Sequence, residues 1–255
     1  NNLKKIEVKW QSFLLTIVLS TSFSVSFAGE MPTGASVQSG NVKISGKNTN
    51  HLVIDQSTNK SIINWDSFSI HDQGRVDFNM PSSMSSSLNR VTGSTPSSIA
   101  GQLNSNGKVM IINPNGVVIT KNGVVKTGSF TASTLDINNK DFLKDQMNFI
   151  GNGKSESVQN NGKIIIGDKG YGALLGGQIS NTGIVSARLG KIALGAGEKI
   201  TLDFVGDGLM SVSVPSEKLG IIKDIKGNTL KSLISNTGLL KANGGVIKLS
   251  AATAK

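Results

Sequence analysis

The chain has 255 residues, a formal net charge of +10 at pH 7 and no cysteine. The missing cysteine excludes a disulfide scaffold and a Cys-containing zinc centre. The cations stand singly, with only Lys60, Arg75 and Arg90 between Thr49 and Gly107, and just 5% of residues are aromatic, so a solvated basic surface fits better than a nucleic-acid groove built on base stacking.

The chain opens with Asn1 rather than Met, which points to a start further upstream. Residues 1–28 read as a secretory signal peptide. Lys4, Lys5 and Lys9 form a basic region, Phe13–Phe27 is an uncharged stretch of apolar and hydroxyl residues, and Ser26-Phe27-Ala28 places cleavage between Ala28 and Gly29. Removing this leader leaves 227 residues with a net charge of +8, long enough for one sizeable core.

Residues 29–50 alternate small, polar and apolar residues, and Val37, Val42 and Ile44 seed short strands. Strands are then expected at His51–Asp55, Ser61–Ile63, Phe68–Ile70 and Arg75–Phe78. Trp65, Phe68, Ile70 and Phe78 gather large side chains near one end of the fold, where they fit a plug closing the core better than a carbohydrate platform. Met80–Leu103 is Ser-rich, with Thr95-Pro96-Ser97-Ser98 suited to a single helical turn.

The stretch Asn104–Thr134 is the most informative. Three β-branched runs, Val109–Ile112, Val117–Ile119 and Val124–Val125, are separated by Asn-Gly or Asn-Pro corners. Short apolar runs bounded by turn formers read as buried strands. Asn-Gly at 106–107, 115–116 and 122–123 suggests corners with positive φ, and Pro114 holds Asn113 extended. Leu135–Ile150 breaks the pattern. Phe142, Leu143, Met147 and Ile150 fall at three- and four-residue steps, the mark of a short helix or ordered excursion.

From residue 158 the grammar returns as Asn, then Gly, then a β-branched run, with Gly162 and Gly183 21 residues apart. Self-similarity at that period with no helical repeat indicates an all-β solenoid whose coils stack their apolar side chains. Each buried Ile, Val or Leu contributes about 1.5–3 kcal/mol, so stacked coils offset an ordering entropy that a lone coil could not. Asp203–Lys231 interrupts the repeat as a decoration or hairpin. The end at Lys255 shows no capping pattern, which suggests that more protein follows.

Enzyme sites find little support. Asp136, Asp141 and Asp145 belong to the excursion, while Asp168, Glu198 and Asp203 are scattered. His51 and His71 are the only histidines and read as surface or turn residues. The glycines at 170, 172, 176 and 177 lack the spacing and the Lys-Ser/Thr of a phosphate loop, and no G-x-S-x-G elbow is present. No catalytic residue, metal or cofactor is expected.

Three segments together carry a resemblance: IINWDSFSIHDQGRVDFNMP, SLNRVTGSTPSSIAGQLNSNGKVMIINPNGVVI and GSFTASTLDI. They resemble the two-partner secretion domain of the filamentous haemagglutinin and high-molecular-weight adhesin family, from about Val37 onward. The resemblance implies a right-handed parallel β-helix with an N-terminal β cap and extra-helical β elements. It implies a domain, residues 29–255, that heads a larger exoprotein, exported through the periplasm and delivered to the cell surface or medium. The partner it implies is the POTRA domains of an outer-membrane β-barrel transporter, with host receptors or glycans met only through the passenger. The secretion motif of the family matches Asn113, Pro114, Asn115 and Gly116, and its Asn-Arg-Val-Thr-Gly element matches Asn89, Arg90, Val91, Thr92 and Gly93. The second Asn-Pro-Asn-Leu motif of some members is absent, since Pro32, Pro81, Pro96 and Pro215 are flanked otherwise. The domain is expected to be a monomer. A self-contained glycan- or receptor-binding adhesin and a β-helical polysaccharide lyase are the alternatives.

Overall fold

The computed structural model describes residues 30–153, 155–204, 209–214 and 233–251. The leader and its Ala28–Gly29 junction lie outside them. The described chain opens with strands β1 (Ser36–Ser39), β2 (Val42–Ser45), β3 (His51–Gln56) and β4 (Lys60–Trp65). β1 runs antiparallel to β4, β2 runs antiparallel to β3, and Thr33 bridges antiparallel to Ser67. Residues 33–45 thus reverse direction across the first coil and occupy the sheet edges that it would otherwise leave open.

After β5 (Arg75–Asn79) the chain settles into coils with three faces. One coil is β6 (Ser86–Val91), β7 (Ser97–Ile99) and β8 (Gln102–Ser105), and the next is β9 (Lys108–Ile112), β10 (Val117–Ile119) and β11 (Val124–Thr127). Then β12 (Ser129–Ser133) leads out of the coil into β13 (Asp136–Ile137), α1 (Asn139–Leu143) and β14 (Met147–Ile150), and the chain returns as β15 (Ser157–Asn160) and β16 (Lys163–Ile166). A full coil follows in β17 (Tyr171–Gly176), β18 (Gln178–Asn181) and β19 (Ile184–Ala187). β20 (Lys191–Ala196) is followed by a second excursion, β21 (Lys199–Asp203) and β22 (Leu209–Val214), before β23 (Ile234–Asn236), β24 (Leu239–Lys241) and β25 (Val246–Ala251).

Stacking the coils gives three parallel faces, closed at the first coil by the antiparallel cap. The first face runs β4-β6-β9-β12-β17-β20-β25, the second β7-β10-β15-β18-β23, and the third β3-β5-β8-β11-β16-β19-β24. The expected period is the observed register: Lys163 pairs with Ile184 and Ile164 with Val185, a step of 21 residues. The protein is therefore a parallel β-helix with a β cap, as the resemblance implied.

Two apolar cores explain the strand sequences. Inside the coils, Ile54, Ile63, Val76, Leu103, Val125, Ile164, Val185 and Ile192 stack along the axis. A second core lies outside the first face, where Ile62, Leu88, Met110, Ile112 and Leu175 meet Leu135, Phe142, Phe149, Ile200 and Leu202 from the two excursions. First-face strands are thus covered on both sides, and β9 and β17 carry near-continuous buried runs. Third-face strands are covered only within, and β16 alternates exposed and buried residues. The four-stranded extra-helical sheet, β13-β14-β21-β22, is antiparallel throughout.

The aromatic cluster is the expected plug. Trp65 and Phe68 meet edge to face with centroids 5.3 Å apart, and with Phe78 they are buried in the main core beneath the cap, which leaves no ring platform there for a sugar.

Four local readings change. Ser97–Ile99 is strand β7, not a helical turn: pairing with β10 on the next coil decides the backbone, and an extended segment accepts Pro96 as readily as a helix start does. Phe68–Ile70 is no strand and makes a single bridge between Ile70 and Ile99. The helix is confined to Asn139–Leu143, while Met147–Ile150 is β14, because pairing with β21 overrides the helical spacing. Of the Asn-Gly corners at 106–107, 115–116 and 122–123, only Gly116 has positive φ, at +116°. At Gly123 the reason for glycine is proximity: a Cβ there would stand 2.1 Å from the Ile99 carbonyl oxygen of the coil below. Within Asp203–Lys231, β22 forms the expected hairpin with β21 and residues 215–231 lie outside the described residues.

Candidate functional site: the corner at Asn113–Gly116

The corner joins β9 to β10. Asn113 is fully buried, and its side chain organises the turn. Its Nδ2 donates to the Thr95 carbonyl at 2.9 Å and to Ser97 Oγ at 3.0 Å. Its Oδ1 accepts from the Asn115 backbone N–H and from Asn115 Nδ2, both at 3.0 Å. The Gly116 N–H closes the turn on the Asn113 carbonyl at 3.0 Å. Asn115 Nδ2 also donates to the Gly93 carbonyl at 2.9 Å. Such a corner needs a short side chain bearing both an acceptor and a donor at position 113 and a short donor at 115, which Asn supplies at both. Pro114 and Asn115 are half-exposed and form its tip.

The second motif lies directly beneath. Asn89 is buried and accepts from Trp65 Nε1 at 3.0 Å, while its Nδ2 reaches Ser87 Oγ at 3.1 Å and the Met110 carbonyl at 3.3 Å. Val91 points into the main core, and the Thr92 N–H donates to the Trp65 carbonyl at 2.8 Å. Gly93 passes so near Asp66 that a Cβ would sit 2.1 Å from its carbonyl oxygen. Arg90 turns outward and holds the first excursion. Its Nε donates to Asp136 at 2.9 and 3.1 Å, its Nη1 to Asn139 Oδ1 at 3.0 Å, and its Nη2 to the Ile137 carbonyl at 2.7 Å. The structure therefore brings the two sequence motifs together through the Asn115–Gly93 hydrogen bond and ties both to the extra-helical sheet.

Thr95, Ser97 and Asp136 complete this cluster; the sequence offers Thr95–Ser98 as a helical turn and Asp136 as a carboxylate of the excursion, and nothing local marks them as partners of the two motifs. The carboxylates weighed as catalytic candidates are spread out. Asp136 serves Arg90, Asp145 pairs with Lys60 at 2.8 Å, Asp168 pairs with Arg188, and Glu198 accepts from Ser155 Oγ at 2.9 Å. His51 leans on Asp77 at 2.7 Å, and His71 meets Asn50 Oδ1 at 3.2 Å. Among the described residues no group of three or more His, Asp or Glu could hold a metal ion.

The TPS secretion domain family matches residues 28–255. The chain belongs to this family. A Haemophilus influenzae protein named heme/hemopexin-binding protein is 32% identical over 249 residues, covering 92% of this chain and 25% of that protein. A second Haemophilus influenzae protein of the same name is 33% identical over 123 residues, or 48% of this chain and 13% of that protein. The chain thus spans about a quarter or less of the length of these relatives. Among solved structures, the HMW1 secretion domain from Haemophilus influenzae superposes with a TM-score of 0.71 at 31% identity, covering 86% of this chain and 56% of that one. The filamentous hemagglutinin secretion domain shares the fold, with a TM-score of 0.53 at 16% identity over 86% of this chain and 96% of that one. As a TPS domain the chain is the secretion module of an exoprotein that leaves the cell by the two-partner route, which implies a cognate outer-membrane transporter.

Proposed function

We propose that this domain sits at the N-terminus of a longer exoprotein, reaches the periplasm through its Sec-type leader, and is read there by the POTRA domains of its transporter. The observation that carries this reading is the joining of both family motifs into one braced corner. Asn113 is spent on internal bonds, so its role is to hold the turn. Pro114 and Asn115, half-exposed at the tip, are the residues offered to the transporter. A pre-formed corner lowers the ordering cost of recognition.

Pro114→Ala separates contact from scaffold, because it trims the tip and leaves every side-chain bond of the corner in place. We expect a stability loss within about 1 kcal/mol and at least a tenfold weaker affinity for the purified periplasmic domains of the transporter. Unchanged affinity in the folded variant would remove the contact role from the tip.

The domain carries no catalytic or cofactor role in this reading. It acts as an address label and as the first template for coils that follow it, and the passenger is an adhesin. The 32% identity over 92% of this chain to a protein named for heme and hemopexin supports a second reading, a haem-acquiring passenger. Titration of the full exoprotein with haem separates the two.

A further inference from the structure

The three faces differ in what covers them. The first lies under the excursions, and the second shows a narrow outward column of Ser98, Val118, Gln159, Ser180 and Ser235. Among the described residues nothing covers the third face from β5 to β24, and at its earlier end Arg75, Asp77, Gln102, Asn104 and Lys126 line a shallow groove of about 680 Å³.

Register aligns the outward side chains of this face into two columns. One runs Val124, Lys163, Ile184, Leu239, and the other Lys126, Ile165, Ser186, Lys241. Lys126, Lys163, Ile165, Leu239 and Lys241 are all exposed, Ile165 at 40% and Leu239 at 51%. No carboxylate stands on β11, β16, β19 or β24. In the groove the one carboxylate, Asp77, is already engaged by Arg75 at 2.8 Å, His51 at 2.7 Å and Asn104 at 2.9 Å. Lysines that look scattered in sequence are brought onto one plane, with coils about 4.8 Å apart. Ammonium groups around exposed aliphatics on a flat sheet form a rim-and-centre arrangement suited to a protein surface of opposite charge.

We infer that the outer third face is the docking surface for an acidic face on the periplasmic domains of the transporter, engaged alongside the Pro114 corner. The inference rests on the transporter reading above. Lysine steering sets the encounter, and Ile165 and Leu239 supply the dry contact.

The test compares the wild-type chain, the triple variant Lys126→Glu/Lys163→Glu/Lys241→Glu, and a control triple Lys140→Glu/Lys144→Glu/Lys199→Glu on the excursions. Binding to the purified transporter periplasmic domains is measured across a salt series, with circular dichroism confirming the fold. The third-face triple should bind at least tenfold more weakly and lose most of the salt dependence, while the control stays within about twofold of wild type. If the Glu triple unfolds, the Gln triple and Ile165→Ser report on the same surface, each expected to weaken binding at least threefold. Equal loss in both triples, or none in the third-face variants, overturns the inference while leaving the transporter reading intact. A wild-type chain that does not bind the periplasmic domains overturns the transporter reading itself. Vesicles with and without phosphatidylglycerol form a second arm: if the third-face triple loses only vesicle binding, the face belongs to an anionic membrane and the inference fails.

Discussion

Asp77 stands between three donors on the third face, with its side chain 14% exposed. Burial alone would push its carboxyl pKa up. Hydrogen bonds from Arg75, Asn104 and His51, with the Arg75 charge, outweigh that and hold the pKa below the usual carboxylate range. The sign of the pH effect follows. A carboxyl whose pKa is lower in the folded than in the unfolded chain adds stability above its unfolded value, near 3.9, and loses it as pH falls through the folded value. Wild-type stability should therefore drop on acidification from about pH 5 toward pH 3. Asp77→Asn should be less stable at pH 7 and show a shallower drop over that window. Urea midpoints at several pH values read both effects, and parallel curves for the two proteins would contradict the assignment.

At the scale of elements, the extra-helical sheet is assembled from two insertions separated by a whole coil, and Arg90 is one of its polar ties to the coils, beside Lys60, which donates to the Phe142 and Leu143 carbonyls and pairs with Asp145. Planar, forked geometry makes Arg hard to replace there: a Lys ammonium gathers its donors on one nitrogen and lacks the spread to reach Asp136, Asn139 and the Ile137 carbonyl together. Hydrogen bonds to a charged group contribute about 1.5–3 kcal/mol. Arg90→Lys should keep the coils folded and raise amide exchange across Asp136–Ile150 at least tenfold, while β9 and β17 remain protected. Uniform exchange change along the chain would mean that the excursions and coils unfold as one unit.

This element also marks how far sequence reading reaches. β9, β10 and β11 are legible because each buried run is short, β-branched and fenced by turn formers. The coil period is legible because Gly162 and Gly183 repeat at the true register. The reason for glycine is less legible, since Gly123 is placed by a carbonyl of the coil below and not by its own φ. β21 has the same alternating pattern as a coil strand, and nothing local says that it leaves the solenoid. The Arg90–Asp136 pair, 46 residues apart, has no sequence signal at all. The corner at Asn113–Gly116 stood out as a motif, but its dependence on Thr95, Ser97 and Gly93 arises only when two coils are stacked.

At the scale of the molecule, the two ends of the solenoid are unlike. The first coil is overlaid by the antiparallel cap, whereas β25 is the last strand of its sheet among the described residues. Ile247 and Leu249 continue the inward columns of Ile192 and Leu194, yet stand 41% and 47% exposed, since among the described residues no coil covers them. A strand at the edge of its sheet that presents apolar side chains is a template for another strand. Within a longer exoprotein the next coil would take that position. The present chain, taken alone, should associate through this edge as concentration rises, in place of the monomer expected from sequence. Ile247→Lys/Leu249→Lys puts two charges on the mouth of the coil without touching the cap or the Pro114 corner. Sedimentation velocity at several concentrations should show the wild type shifting to larger species and the double variant staying at the monomer value, with transporter affinity unchanged. A wild type that remains monomeric at every concentration would show that the last coil is closed some other way, and the template role proposed for it would go with that result.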